Sequence, residues 1–116
     1  MEVVKTLVWL DDVRDPCQYD WLNFAPIRGP YRVVWVKSHD DFVKELKAEW
    51  PDAVCFDHDL GDNGEPTGMD CAKWLVDYCL DKSLTLPAWS VHSANPAGAD
   101  NIRSLLANFQ AHQSVE

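Results

Sequence analysis

The chain has 116 residues, of which 47% are hydrophobic and 25% charged, and its formal net charge is −9. This length and composition fit a single globular domain over residues 1–116 and exclude a disordered chain. The acidic balance argues against a long nucleic-acid groove, and no apolar run approaches the ~20 residues of a membrane helix.

The first half of the chain predicts two strands, a long loop and a helix. Residues 3–10 are a near-continuous apolar run rich in Val and Leu, which is typical of a strand buried on both faces of a parallel sheet. Residues 12–30 contain three prolines and predict a long loop with about one helical turn, and such loops are often functional. Residues 31–37 predict a second strand, and Ser38 is the expected N-cap of a helix over 39–49.

A third strand is predicted over residues 52–56, followed by a loop rich in Gly and Asp over residues 61–68. The three glycines of this loop fit two interpretations equally well, a lid that closes over a ligand or a flexible turn. The loop lacks the Gly-Lys-Ser/Thr ending of a Walker-type phosphate loop. Apolar residues at helical spacing then predict a helix over residues 69–81.

A fourth strand is predicted over residues 87–91, and Asn95-Pro96 can open a last helix as N-cap and first-turn proline. Strands that alternate with helices of ~10–15 residues indicate an α/β fold with a mostly parallel sheet. We therefore expect a doubly wound, three-layer αβα sandwich with strand order 2-1-3-4. The sequence predicts four strands and three helices in all.

Polar residues follow strands 1, 3 and 4 at the carboxyl ends of the predicted sheet. Open parallel sheets bind ligands beyond these ends, where the strand order reverses, which here lies between strands 1 and 3. The residues expected to converge on this rim are Asp11, Asp12, Asp57, His58, Asp59, His92, Ser93 and Asn95.

Crowded carboxylates repel one another unless a cation lies among them, and hard oxygen ligands suit Mg²⁺ or Mn²⁺. We expect Asp12 and Asp57 to bind such an ion directly and Asp11 to bind it directly or to support the ligands. Asp59 is either a further metal ligand or a partner that orients a histidine. Alternatively, these aspartates are solvated turn residues and helix caps that bind no metal. The presence of two acidic clusters at neighbouring strand ends favours the metal site over this alternative.

The two rim histidines, His58 and His92, predict an acid–base pair, because imidazole exchanges protons near neutral pH. The sequence does not show which of them is the acid. Ser93 and Asn95, with the helix start beside them, can bind phosphoryl oxygens, since a helix N-terminus favours anions. Arg14, two residues after Asp12, is the cation best placed to hold an anion.

The N-terminus lacks a small-residue cleavage site, so it does not predict a secretion signal. The four cysteines show no C-x-x-C spacing, and we interpret them as reduced thiols of a cytoplasmic protein. A zinc site made from them is not expected.

Four motifs together resemble the cyclic-phosphate processing receiver-like family, a relative of the receiver domains of two-component signalling. They are L-D-D-V-R-D-P at 10–16, F-D-H-D-L-G at 56–61, T-G-M-D at 67–70 and H-S-A-N-P-A-G at 92–98. The resemblance implies an acidic pair at Asp11 and Asp12, a metal-binding and phosphorylatable Asp57, and the receiver Ser-Ala pair at Ser93. It also implies that His58 and His92 are the histidines that the cyclic-phosphate family adds.

The chain departs from ordinary receivers in the number of its β–α units. The fifth unit of a receiver is missing, so the expected fold is truncated. The resemblance implies a fifth strand with a Lys that contacts the phosphoryl group, but the last Lys is Lys82, before strand 4. A conventional phospho-switch is therefore disfavoured.

The function that we expect is a metal-dependent phosphoric ester hydrolase of the cyclic phosphodiesterase type, acting on a nucleotide or an RNA end. One alternative is a signalling module phosphorylated on Asp57. Another is a non-catalytic module that binds a nucleotide or a protein, with an exposed Trp such as Trp21 as anchor. The small size is compatible with a homodimer or with a protein partner.

Overall fold

Four parallel strands form the sheet of the structure, a computed structural model that describes residues 4–60 and 66–114. The strands are β1 (Lys5–Leu10), β2 (Tyr31–Val36), β3 (Ala53–Phe56) and β4 (Ala88–Val91). Their order is β2-β1-β3-β4, and all three pairings are parallel. The predicted α/β fold and strand order are confirmed, with strand ends within two residues of the sequence-based bounds.

Three helices follow strands β2, β3 and β4, and each begins at a capping residue. In α1 (His39–Ala48), the Ser38 hydroxyl accepts a hydrogen bond from the Asp41 amide, as predicted. In α2 (Gly68–Lys82), Thr67 and Asp70 form a reciprocal capping box that our sequence analysis did not single out. In α3 (Pro96–Ser114), the Asn95 side chain accepts from the Gly98 amide at 3.0 Å, which satisfies an otherwise unpaired helix donor.

All three helices contribute to one hydrophobic core on one face of the sheet. Side chains alternate between the faces of a strand, and Val8, Leu10, Val54 and Phe56 point to this face. They join a buried cluster with residues from every helix, among them Phe42, Leu46, Leu75, Ile102 and Leu106. None of the described helices is long and apolar enough to span a bilayer.

The opposite face of the sheet is covered by the segment 13–30 in place of an α-helix. Its only regular element is the 3₁₀ turn Trp21–Phe24, which matches the single helical turn expected in this loop. Leu7 and Trp9 of β1 form a second cluster against which Trp21 and Leu22 pack. The third layer of the predicted sandwich is therefore an irregular segment rich in large apolar side chains.

The anchor role considered for Trp21 required an exposed ring, but Trp21 is half-buried and lies 6.5 Å from the Trp9 ring, centroid to centroid. The lid considered for residues 61–68 falls mainly on residues 61–65, which lie outside the described residues.

The sheet positions the residues that follow its strands through main-chain hydrogen bonds. The Asp11 amide donates to Val36 O at 3.1 Å and the Asp57 amide to Leu10 O at 3.0 Å. The His92 amide donates to Phe56 O at 2.9 Å. Each strand end is thus tied to its neighbour one residue beyond the strand, so the backbone that carries the predicted site is part of the ladder.

We expect Phe42→Ala to lower the free energy of unfolding by about 3–5 kcal/mol, because the ring is fully buried and lies 5.8 Å from Phe56 and 6.0 Å from Trp74. Urea denaturation followed by circular dichroism measures this loss. The matched control is Leu80→Ala on α2, where 61% of the side chain is exposed and the change should stay within about 0.5 kcal/mol. Equal losses in the two variants would contradict the assigned core.

Candidate active site

Three carboxylates meet where β1 and β3 end. Asp11, Asp12 and Asp57 each offer an oxygen, and these oxygens all lie within 4.8 Å of one another. Asp11 is fully buried, Asp57 is 4% exposed and Asp12 is half-buried. The structure thus brings together three of the four residues that the sequence offers as metal ligands, and Asp59 is not in this group.

The Asp11 carboxylate accepts four hydrogen bonds. Its Oδ1 accepts from the amides of Val13 and Arg14, both at 2.9 Å. Its Oδ2 accepts from the Arg14 guanidinium at 3.2 Å and from His92 Nε2 at 3.0 Å. Burial alone would raise the pKa of Asp11, but these donors outweigh it and lower the pKa to about 2. Asp11 is therefore ionised throughout the physiological pH range.

Asp57 lies in a less favourable setting. Burial raises the pKa of Asp57, the negative charge of Asp11 raises it further, and the partial compensation comes from His92, Arg14 and a hydrogen bond from Ser93. Its Oδ1 accepts from the His58 amide at 2.9 Å. The ionised form of Asp57 is therefore destabilised by burial and by repulsion from Asp11, and a cation beside it would stabilise that form.

The sequence predicts that Arg14 holds an anion at the rim, and in the structure its guanidinium lies beside two carboxylates there. One guanidinium nitrogen, Nη1, lies 3.2 Å from Asp11 Oδ2 and 3.7 Å from Asp57 Oδ2. The guanidinium carbon lies 5.3 Å from the centroid of the Trp21 ring, which is within range of a cation–π contact. The guanidinium of Arg14 is therefore held between two carboxylates and the Trp21 ring.

His92 is buried beneath the carboxylates. Its ring stacks on Trp9 with centroids 3.9 Å apart and planes 7° from parallel. Nε2 donates to Asp11 Oδ2, whereas Nδ1 is buried without a hydrogen-bond partner among the residues that the structure describes. In this arrangement His92 fixes the orientation of Asp11.

His58 lies at the outer side of the rim, where 18% of its side chain is exposed. Its Nδ1 lies 2.8 Å from Asp59 Oδ1, and because a carboxylate only accepts, Nδ1 is the donor. Asn95 Nδ2 also donates to Asp59 Oδ1, at 3.4 Å. The hydrogen bond from His58 lowers the pKa of Asp59. Of the two roles considered for Asp59, its contacts match the orientation of a histidine, and it lies apart from the three-carboxylate group.

Two glycines make room for His58 and its neighbours. A Cβ on Gly98 would overlap Cγ of the His58 ring, so the ring packs directly on the first turn of α3. A Cβ on Gly68 would overlap the carbonyl oxygen of Asp57, where the Gly68 amide donates to His58 O at 2.7 Å. Helices α2 and α3 thus approach the rim closely enough to shape it.

Ser93 and Asn95 link the end of β4 to α3. The Ser93 hydroxyl accepts from the Asn95 amide at 3.0 Å, and Ser93 also hydrogen-bonds Asp57. The sequence singled out these two residues as phosphoryl contacts, and both lie beside the carboxylates and His58. Sequence reasoning missed the roles of Trp9 and Gly98, although a Gly three residues after Asn95 is a signal of close approach at a helix start.

The residues present fit a hard divalent cation, since all the donors are oxygens of carboxylates at one edge of the sheet. Asp11, Asp12 and Asp57 could hold such an ion, and four protein donors already reach the Asp11 oxygens.

A cleft of about 250 Å³ opens beside Asp12. Lys37, Ser38 and His39 line one side of it, and Leu60 and Pro66 line another. A larger cavity of about 670 Å³ lies between the end of α2 and the end of α3, at the opposite edge of the sheet, and contains none of the rim residues. The smaller cleft is the candidate ligand site, because it contains Asp12 of the three-carboxylate group.

Comparison with known proteins identifies the family and the fold. The model of the family described as cyclic-phosphate processing receiver domain matches residues 6–108. The N-terminal domain of a response regulator/sensory box/GGDEF 3-domain protein from Carboxydothermus hydrogenoformans matches with a TM-score of 0.52 and 20% identity, over 86% of this chain and 74% of that one. None of the curated proteins matches the chain.

A second solved structure is a fusion of the yeast Spc42 trimeric coiled coil, amino acids 181–211, to another structure. It matches with a TM-score of 0.60 and 22% identity, over 89% of this chain, which spans 64% of the fusion chain. At such identities the two structures establish the shared fold.

Asp11→Asn and Asp57→Asn should change stability in opposite directions without added metal. The low pKa of Asp11 means that its carboxylate stabilises the fold above its ordinary pKa and loses this contribution as the pH falls toward about 2, so Asp11→Asn should lower Tm at pH 7. The raised pKa of Asp57 means that its ionised form destabilises the fold at neutral pH, so Asp57→Asn should raise Tm by roughly 2–6 °C. Calorimetry at pH 7 compares them, and a lower Tm for Asp57→Asn would contradict the assigned strain.

Gly98→Ala should displace the His58 ring while leaving the fold intact, because alanine favours the helix by up to about 1 kcal/mol. The imidazole resonances of His58 in ¹H–¹⁵N NMR spectra should shift, whereas those of His112, an exposed histidine near the end of α3, should not. Unchanged His58 resonances would show that the ring does not pack on Gly98.

Proposed function

The chain belongs to the cyclic-phosphate processing receiver domain family, and we propose that it is a metal-dependent phosphoesterase that opens a cyclic phosphate ester of a nucleotide or an RNA end. The observation that carries the proposal is the convergence of three carboxylates, within 4.8 Å of one another, with a histidine held by its own carboxylate. Such a set matches what hydrolysis at phosphorus needs, namely charge neutralisation and proton exchange.

Asp12 and Asp57 would hold Mg²⁺ or Mn²⁺, and Asp11 would support them. When bound, the ion supplies positive charge to the phosphoryl oxygens. Arg14 adds a second positive charge on the side of the segment 13–30, and the Ser93 hydroxyl and the start of α3 offer donors on the other side. The phosphoryl group would then lie above Asp57, between these donors.

Ring opening consumes one water molecule. The water oxygen bonds to phosphorus, one ring P–O bond breaks, and the proton lost by the water is balanced by the proton gained by the leaving alkoxide. His58 would exchange these protons. Because Asp59 accepts from Nδ1 at 2.8 Å, the neutral ring presents an unprotonated Nε2.

His92 is the second histidine of the proposed pair, and its contacts give it a positioning role. The hydrogen bond from Nε2 and the stacking on Trp9 hold Asp11 in place. His92 therefore acts on the reacting atoms through Asp11, and His58 is the histidine that touches substrate.

The cleft beside Asp12 is suited to the organic part of the substrate. Lys37 and His39 offer donors to a sugar or a second phosphate, and Leu60 and Pro66 offer apolar contact. Its volume, about 250 Å³, limits the group that it can enclose to roughly a nucleoside or smaller.

A signalling module phosphorylated on Asp57 is the second candidate. The position of Asp57 after β3 and its hydrogen bond with Ser93 favour it, because a receiver pairs a phosphorylatable Asp with a hydroxyl residue. The cation beside Asp57 is Arg14, however, and not a lysine on a following strand.

³¹P NMR of the protein with a panel of cyclic phosphates tests the proposal. The panel contains 2′,3′- and 3′,5′-cyclic nucleotides, ADP-ribose 1″,2″-cyclic phosphate and an RNA with a cyclic end, each with Mg²⁺ or Mn²⁺. We expect one class of ring to open with wild type and His58→Ala to lower the rate by at least ~100-fold. His112→Ala, which removes an exposed histidine near the end of α3, is the matched control and should leave the rate of ring opening within about twofold.

Absence of ring opening by the metal-loaded protein would overturn the esterase. Incubation with acetyl phosphate and Mg²⁺ would then distinguish the second candidate, since phosphorylation adds one phosphoryl mass to wild type and none to Asp57→Asn. A cyclic nucleotide that binds and is recovered unchanged would instead support a binding module.

A further inference from the structure

We propose that the Arg14 guanidinium is a tethered cation that competes with a divalent metal ion for the Asp57 carboxylate and, once released from Asp11 and Asp57, binds the oxyanion of the substrate. The inference rests on the proposed function, because it assumes that the rim accepts both a metal ion and a phosphate. It deepens that function by making the two ligands bind cooperatively.

The competition follows from the position of the Arg14 guanidinium beside the three-carboxylate group. Arg14 Nη1 lies 3.2 Å from Asp11 Oδ2 and 3.7 Å from Asp57 Oδ2, and these two carboxylates also belong to the three-carboxylate group. A divalent ion bound to that group would lie within a few ångströms of the guanidinium. Repulsion between charges of +2 and +1 at such a distance is strong even with an effective dielectric constant of about 20. The guanidinium therefore weakens metal binding for as long as it stays in place.

The side chain of Arg14 can leave while its backbone remains. The Arg14 amide donates to Asp11 Oδ1 at 2.9 Å, and the Arg14 carbonyl accepts from Trp9 Nε1 at 3.0 Å. These bonds fix the main chain to two fully buried residues, Asp11 and Trp9 of β1. The side chain is 27% exposed, so rotation about its own bonds can carry the guanidinium away from the carboxylates.

The released guanidinium remains within reach of the rim. Its tether keeps it near Asp57, and its planar set of donors matches two oxygens of a phosphate. A phosphate that contacts both the metal ion and Arg14 replaces their repulsion with two attractions. Because such coupling is reciprocal, phosphate should tighten metal binding by the same factor by which the metal tightens phosphate binding.

Binding of Mn²⁺ to the full chain, followed by electron paramagnetic resonance with and without inorganic phosphate, tests the inference. Without phosphate, Arg14→Gln should bind Mn²⁺ about tenfold more tightly than wild type, because the competing charge is gone. Phosphate should tighten Mn²⁺ binding to wild type by about fivefold or more and to Arg14→Gln by less than about twofold.

Arg32→Gln is the matched control. Arg32 also pairs with a carboxylate, Glu49, at 2.6 Å, but both side chains are about half exposed and lie at the opposite end of the sheet. Its removal changes the net charge as Arg14→Gln does, and Mn²⁺ binding should stay within about twofold of wild type. Arg14→Lys is the second variant and retains the charge without the planar donors. It should bind Mn²⁺ as weakly as wild type and lose most of the effect of phosphate.

Three results would overturn the inference, and they separate it from the proposed function. If Arg14→Gln binds Mn²⁺ no more tightly than wild type while Asp57→Asn abolishes binding, the competition is wrong and the metal site stands. If Arg14→Lys keeps the full effect of phosphate, Arg14 does not bind the oxyanion. If wild type and Arg14→Gln both fail to bind Mn²⁺, the inference and the metal ion of the proposed function are both wrong.

Discussion

The buried carboxylate of Asp11 is the constraint on which the rest of the rim depends. An isolated charge in this position would be very unfavourable, and it is tolerated because four donors reach it from two directions. The amides of Val13 and Arg14 shape the turn that leaves β1, and His92 ties the end of β4 to the same oxygen that Arg14 contacts. The position of each neighbouring group then follows. Arg14 is held against Asp57, and His92 is stacked on Trp9.

The sheet and the list of rim residues could be predicted from the sequence because they depend on local patterns. Apolar runs identify buried strands, and parallel strands bring their carboxyl ends to one edge, so Asp11, Asp57 and His92 had to meet. The alternation of strands and helices also predicts the order β2-β1-β3-β4, which the structure has. What a residue does within the rim depends on contacts between segments distant in the chain. The stacking of His92 on Trp9 and the packing of His58 on Gly98 could not be predicted from spacing alone.

The role of the segment 13–30 was also only partly predictable from the sequence. Its prolines correctly indicate a loop, but composition does not show that the loop covers a whole face of the sheet. That role depends on Trp21 and Leu22 packing against Leu7 and Trp9, which are contacts between side chains and not a periodic pattern. The segment thus combines two tasks. It completes the core on a face where the described residues form no α-helix, and it carries Arg14 to the rim.

Local unfolding should be rare at the amides of Asp11, Asp57 and His92. These amides belong to residues outside the strands, yet they donate to Val36, Leu10 and Phe56 within the sheet. Their solvent exchange therefore requires disruption of the central sheet, which is the costliest opening of such a fold. The residues that would perform chemistry stand on its least deformable part. The sequences of the surrounding loops can then diverge, and the choice of ligand with them, while the geometry of the carboxylates stays the same.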